Sequence, residues 1–396
     1  MISLMSHKLA SAVASMPFFG GTAPNTQYGT NTSGDVLVNQ TADGVDLNAV
    51  WTEFRDLLSI WNDERTRLTD LLTFRTTATG EAVPQNIAIP SFERATELGV
   101  PKGAHPPGDA LLLGYNFHDY DLAGRFSWKF LRDADVRQVE SVMNSILSAD
   151  NKLVTGTILR RLFDPAPTKN EFGHRVYGLY NGTDGITPPP YLGRTFPESE
   201  NHYIASQSAQ IDSADIEDAV RLVTRKGYGA EAGSQVLILA NPDEAEDIMA
   251  WRAGELSRSD GPTARYDFIP AKTAPPYLQP DNIVGEQISG DFHGIPVLGS
   301  YGESWLIQSD FVPSGYVAVV ASAGPNRVSN VMGFREHPNT AYRGLRMIPG
   351  AGPYPLVTSY NQRSFGVGVR QRGAAVCVQV TNSSTYTKPT NDQIPV

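Results

Sequence analysis

Apolar residues along the chain fall into blocks of two different periods, and the blocks predict an alternation of helices and strands. From Asp46 onward, Leu47, Val50, Trp51, Phe54, Leu57, Leu58, Trp61, Leu68, Leu71 and Leu72 follow a helical stripe with charges between them, interrupted at Glu64–Arg65. Thr76–Gly108 shows no sustained period and several prolines, and its Ile87 and Ile89 suggest irregular chain or an edge strand. The period then switches to two. Leu111, Leu113, Tyr115 and Phe117 alternate onto one face, and Phe126, Trp128 and Phe130 repeat the pattern after a turn at 119–124, which predicts a β-hairpin over Asp109–Arg132. A hairpin with that much apolar surface does not stand alone in water. Nothing beside it in sequence offers a cover, so these seven side chains are the expected contact with another copy of the chain.

A long helix is predicted next. Asp135, with Gln138 three residues on, has capping-box spacing. Val136, Val139, Met143, Ile146, Leu147, Leu153, Val154, Ile158 and Leu162 form one face as far as Phe163, and Asp164-Pro165 closes the run. At 1.5 Å per residue this is a rod of about 43 Å, far longer than a mean globular helix. It reads as a structural spine.

A loop-rich stretch leads to Pro188-Pro189-Pro190-Tyr191, which is expected to be a rigid loop. A compact α/β unit follows. Asp212 or Ser213 caps a helix carrying Ile216, Val220 and Val223; Val236–Leu239 reads as a buried strand; Asn241-Pro242 opens a second helix. Strands resume at 296–298, 304–308 and 316–321. In the tail, Phe365, Val367 and Val369, a turn at 371–373 and Ala374–Val380 predict a second hairpin, with no core character beyond Thr381. The expected class is α+β.

Composition narrows the function. With 40% hydrophobic and 19% charged residues, the 396-residue chain is globular, with room for one large core or a few modest ones. A net charge of −10 argues against a general nucleic-acid binder, whose footprint is basic. The charge is uneven, because from Arg327 onward eight Lys/Arg face two acids. Arginine outnumbers lysine 24 to 8, which suits interface pairing, although compositional bias explains it equally well. The single Cys377 excludes an intramolecular disulfide framework and a Cys-based zinc site, and is expected to be a buried strand thiol. Leu9–Phe19 is too short and broken to read as a signal peptide, and no run approaches the ~20 apolar residues that span a bilayer.

Chemistry is sparse. The sequence has no Gly-x-Ser-x-Gly, Walker loop, His-Glu-x-x-His or dinucleotide fingerprint, and its seven His are scattered. His118-Asp119-Tyr120-Asp121 is the densest polar cluster and is expected to be a solvated turn rather than a metal site; Glu336-His337 is expected to be a hydrogen-bonded strand end. No catalytic, cofactor-binding or metal residue is assigned, and an enzyme is disfavoured.

The order of parts resembles the major capsid proteins of tailed bacteriophages, whose shell fold is the Hong Kong ninety-seven type. Leu237-Ile238-Leu239-Ala240-Asn241-Pro242-Asp243, Gly315-Tyr316-Val317-Ala318-Val319-Val320, Gly333-Phe334-Arg335-Glu336-His337 and Gln362-Arg363-Ser364-Phe365-Gly366-Val367-Gly368 look like phrases from such proteins of phages infecting actinobacteria. The resemblance implies an N-terminal arm and helix over 1–75, connecting strands over 76–108 and an extended loop over 109–132. It implies a peripheral domain with the spine over 133–206, an axial domain over 207–325, and returning peripheral strands over 326–396. It further implies self-assembly into hexamers and pentamers of an icosahedral shell around double-stranded DNA. Portal and scaffolding or decoration proteins would be partners, no membrane or cofactor would be involved, and assembly in the host cytoplasm would yield a virion component. The basic C-terminal portion would pair with acidic neighbours, with Arg370 and Arg372 as expected inter-subunit salt bridges. Lys129, the only Lys between 103 and 151, is the residue to consider for the Lys–Asn weld that some members use. The alternatives are an encapsulin shell around cargo protein and, from another class, a β-rich hydrolase or carbohydrate-binding protein.

Overall fold

Local caps and periods set most of the helices, while the strand pairing follows the tertiary fold. In a computed structural model, residues 40–63, 67–84, 94, 95, 97, 99, 100, 110–230, 233–272, 287–350, 356–394 and 396 are described. The arm before residue 40, Ile87, Ile89 and Asp109 lie outside them. The helices are α1 (Leu47–Asp63), α2 (Arg67–Leu72), α3 (Trp128–Asp133), α4 (Val136–Phe163), α5 (Ser213–Thr224) and α6 (Pro242–Met249). The first strands are β1 (Thr73–Thr76), β2 (Gly80–Pro84), β3 (Ala110–Gly114), β4 (His118–Ser127), β5 (Thr168–Lys169), β6 (Arg175–Val176), β7 (Tyr203–Ala205), β8 (Gln235–Ala240) and β9 (Phe268–Pro270). After them come β10 (Asp291–Phe292), β11 (Ile295–Pro296), β12 (Gly299–Tyr301), β13 (Ser304–Gln308), β14 (Tyr316–Ser322), β15 (Met332–Arg335), β16 (Leu345–Pro349), β17 (Leu356–Val369) and β18 (Ala375–Gln379). The chain divides into two units, 1–65 with 119–151 and 339–364, and 66–118 with 152–338 and 365–396.

In the first unit, Asp46 accepts the Asn48 amide at 2.8 Å, where α1 begins. Leu47, Val50, Trp51, Phe54 and Leu58 are its buried stripe, packed with Val139, Met143, Ile146 and Leu147 of α4 and with Leu345 of β16. The Asp135–Gln138 capping box forms in both directions, at 3.0 and 3.2 Å. β16 runs antiparallel to the first half of β17, Leu345 opposite Arg363. Inside this core Asp150 accepts from Arg363 at 3.1 Å and from the Trp61 indole at 2.9 Å, so the buried carboxylate has an ionic and a neutral donor.

The expected hairpin over Asp109–Arg132 does not form. β3 pairs with β2 and β4 pairs with β17, so the two runs belong to different sheets. Trp128 and Phe130 are not on a strand at all. Ser127 accepts the Phe130 amide at 3.1 Å and caps α3, and Phe130 on that helix stacks on Phe126 at the end of β4, at 5.8 Å. Three alternating aromatics were too short a run to separate the two periods.

The second unit is built on a seven-stranded sheet in the order β7-β18-β14-β8-β13-β12-β9. β14 is buried at every position and β8 at five of six, the continuous apolar pattern of strands covered on both faces. α5 starts at an Asp212–Asp215 capping box, and α6 at Asn241 with Pro242 in its first position. β18 pairs antiparallel with β14 and parallel with β7, not with β17, so the expected tail hairpin is also absent. The same pairing joins 375–379 to 235–322 in one sheet, across the domain boundary expected at 325. Cys377 is buried in β18. Beyond Thr381 the tail does have core character. Ile394 is buried, its carbonyl accepts from Arg160 at 2.9 Å, and the Tyr386 hydroxyl donates to the Phe163 carbonyl at 2.9 Å.

Candidate functional site

The longest of three two-stranded sheets among the described residues of the second unit is an antiparallel ribbon of β2 and β3, running in register from Gly80 opposite Gly114 to Pro84 opposite Ala110. Among the described residues these strands pair only with each other. An isolated pair of strands is marginal in water, so whatever fixes the ribbon at its root and covers its faces decides its behaviour. Leu112 is 46% exposed and Val100, in the span between the strands, 92% exposed.

The root is densely fastened. The Tyr115 amide donates to the Thr79 carbonyl at 3.2 Å, joining the two sides of the ribbon at its base, and the Asn116 amide donates to the Val367 carbonyl at 3.2 Å, tying the β3 side to β17. Asn170 donates to the Thr79 and Tyr115 carbonyls at 2.8 and 3.3 Å. Arg335, at the end of β15, donates to the Tyr115 carbonyl at 3.1 Å, pairs with Glu171 at 2.6 Å and lies 5.0 Å over the Phe117 ring. Tyr115 is fully buried, and its ring lies over β15 and β17 where Gly333 and Gly368 leave room; a Cβ on Gly368 would sit 2.6 Å from the Gly114 carbonyl.

Glu81 completes the root. It accepts the Tyr115 hydroxyl at 2.9 Å and a three-contact fork from Arg370 at 2.7–3.0 Å. The Arg370 hydrogen bonds hold the Glu81 carboxyl below the usual glutamate range, while burial pushes the Tyr115 phenol well up, so Tyr115 stays a donor.

These contacts revise the expected site residues. Leu113, Tyr115 and Phe126 are buried in their own chain, so their side chains are not what a neighbour would touch. Leu111 and Phe117 are half-buried in the second unit, Trp128 and Phe130 half-buried on α3 of the first; the seven residues do not form one face. Arg370 and Arg372 are not free for a neighbour. Arg370 is committed to Glu81. Arg372 is buried, pairs with Asp184, donates to the Gly178 carbonyl at 2.9 Å and lies between the Tyr177 and Tyr180 rings. Lys129 is exposed in the first turn of α3 rather than on a strand. His118–Asp121 lies in the mostly exposed start of β4. Glu336 is buried, and its amide donates to the Thr76 carbonyl at 2.8 Å. Sequence reasoning missed Glu81, Asn170 and the full role of Arg335, since Glu81 falls in a stretch without a period. The Gly333, Gly366 and Gly368 alternation was the available signal of a strand crossed closely by another segment.

The chain is 41% identical to a solved chain of Mycobacterium phage Patience, over 93% of this chain and 97% of that one, with a TM-score of 0.68. More distant are the holo encapsulin complex from Synechococcus elongatus (13% identity, 85% and 98% covered, TM-score 0.43) and the mature capsid of bacteriophage PhiM1 (10%, 81% and 88%, 0.44). No family model matches the chain, and no curated protein sequence matches it.

Proposed function

Because this chain belongs to the major capsid proteins of tailed bacteriophages, with the Hong Kong ninety-seven type of fold, we propose that its copies close as hexamers and pentamers into an icosahedral shell around double-stranded DNA. In that shell the β2–β3 ribbon reaches over a neighbouring copy. The observation that carries this is the ribbon itself: two strands that pair only with each other among the described residues, fastened at the root through Glu81, Tyr115, Asn170 and Arg335, with Leu112 exposed. Side chains of that kind stay exposed only at a cost, and a neighbour removes it at about 25 cal/mol per Å² of apolar area covered.

The role is structural and not enzymatic. The subunit is acidic overall, and its cations at Arg363, Arg370 and Arg372 are engaged by its own carboxylates, which suits a container that holds DNA without reading its sequence. Portal and scaffolding or decoration proteins are the further partners, and assembly takes place in the host cytoplasm before the subunit becomes part of the virion. No helix among the described residues is long and apolar enough to cross a membrane. A weld through Lys129 would appear as a ladder on a denaturing gel of intact particles, and monomer bands alone would end that idea.

The test is electron microscopy of the expressed chain beside a variant in which residues 85–109 are replaced by a short Gly-Ser turn. Closed shells or capsomers from the parent, and folded but unassembled subunits from the variant, are expected. A parent that remains a 43.0 kDa monomer would sink the reading; protein-filled particles lacking DNA would instead favour a cargo shell.

A further inference from the structure

The contacts at the root of the ribbon are not equivalent in position. Gly80 and Gly114 face each other in register at its first rung, so neither strand has a side chain there to stiffen it. His174 packs over both glycines, where added Cβ atoms would come within 3.1 and 2.9 Å of it. Thr79, Tyr115, Asn170 and Arg335 make their contacts at or behind this rung, on the side of the body. Glu81 lies one residue beyond it, on the ribbon, opposite Leu113. Its partner Arg370 belongs to the body, directly after β17, with its amide and that of Gln371 both donating to the Val331 carbonyl at 2.9 and 3.0 Å. The Arg370 guanidinium also lies 5.7 Å over the Phe74 ring, which meets Tyr115 edge-on at 6.4 Å. The ion pair therefore spans the Gly80–Gly114 rung, from the residue that follows β17 to the first ribbon residue beyond that rung.

We propose that Glu81 and Arg370 are positioning residues that lock the ribbon at one angle across the Gly80–Gly114 pivot, and so present it to the neighbouring subunit in a single orientation. This rests on the reading of the ribbon as an inter-subunit arm and adds what sets its direction. A planar fork on a carboxylate fixes angle as well as distance, which a point charge does not. Opposite Glu81, Leu113 is fully buried, an apolar contact that holds the ribbon without the directionality of the fork. Tyr115, donating from the buried side, leaves Glu81 one preferred face to offer Arg370.

Spin labels on Leu112→Cys and Leu256→Cys, both exposed and both in the second unit, report the tilt in the free subunit. Buried Cys377 stays unlabelled. With Glu81 and Arg370 intact, one narrow distance distribution is expected. Glu81→Gln and Arg370→Lys should each widen it at least twofold, leave the melting temperature of the subunit nearly unchanged, and lower particle yield about tenfold in the unlabelled background. Arg370→Lys keeps the charge, so a widened distribution there assigns the effect to the fork. Unchanged widths in both variants would overturn the proposal, and so would widened distributions with full particle yield. If the parent itself fails to form particles, the reading of the arm fails, whereas the width measurement on free subunits still decides the lock.

Discussion

The seven-stranded sheet and the β2–β3 ribbon sit in the same unit and are both β, yet they are stabilised in opposite ways. Every residue of β14 is buried between β8 and β18, and α5 and α2 pack against it. The ribbon has two strands, a polar lock at its root and an apolar side chain at 46% exposure. The sheet completes its core within one chain. The ribbon leaves Leu112 half in water, and on the proposed reading a second chain covers it. If that reading holds, self-sufficient folding and assembly competence are carried by different residues and can be broken separately.

The largest loss of subunit stability is expected from Arg372→Met. Removing the guanidinium strands Asp184 and the Gly178 carbonyl in the interior, which costs about 3–5 kcal/mol by the general behaviour of broken buried pairs. A urea melt of the free subunit would measure it, and a loss below 1 kcal/mol would show that water reaches the pair. Leu237→Ala in β8 removes a fully buried side chain from the sheet and should cost about 2–5 kcal/mol in the same melt.

A smaller effect is conditional on pH. His202 is fully buried, and burial, with Lys226 nearby, lowers its value to about 3 while one ring nitrogen lies 2.7 Å from the Ala375 carbonyl. Between the ordinary histidine value of about 6.5 and 3, the unfolded chain binds a proton that the folded chain refuses, so stability falls as pH drops through that window. His202→Gln should flatten this acid limb, and an unchanged slope of urea midpoint against pH would remove His202 as its source. The smallest effect on folding is expected from Leu112→Ser, within about 0.5 kcal/mol in the melt, because the side chain is already half in water. Particle yield should nevertheless fall sharply. Equal loss in both measurements would place Leu112 in its own core and erase the contrast.

The features readable from sequence were those that depend on neighbours in the chain. The Asp135–Gln138 box, the spine ending at Phe163 and the Pro242 start of α6 are set within a turn or two of helix, so spacing alone located them. Strand partners are set by residues hundreds of positions away. Leu111–Phe117 and Phe126–Phe130 looked like two arms of a hairpin because both are apolar and adjacent; only the tertiary fold sends one to β2 and the other to β17 and α3. The charges failed for a related reason. Arg370 and Arg372 were visible as cations, but nothing in sequence tells whether the carboxylate that meets them is Glu81 and Asp184 of the same chain or an acid on a neighbour. Ile394 was overlooked because one buried side chain in a polar tail has no period to detect.

Amide hydrogen exchange, compared between free subunits and assembled particles, reads the sheet and the ribbon in one experiment. Peptides covering 235–240 and 316–322 are expected to be protected in both states, while those covering 80–84 and 110–114 exchange quickly in the free subunit and become protected only in the shell. Equal protection of the ribbon in both states would contradict this, since the ribbon would then be complete without a neighbour.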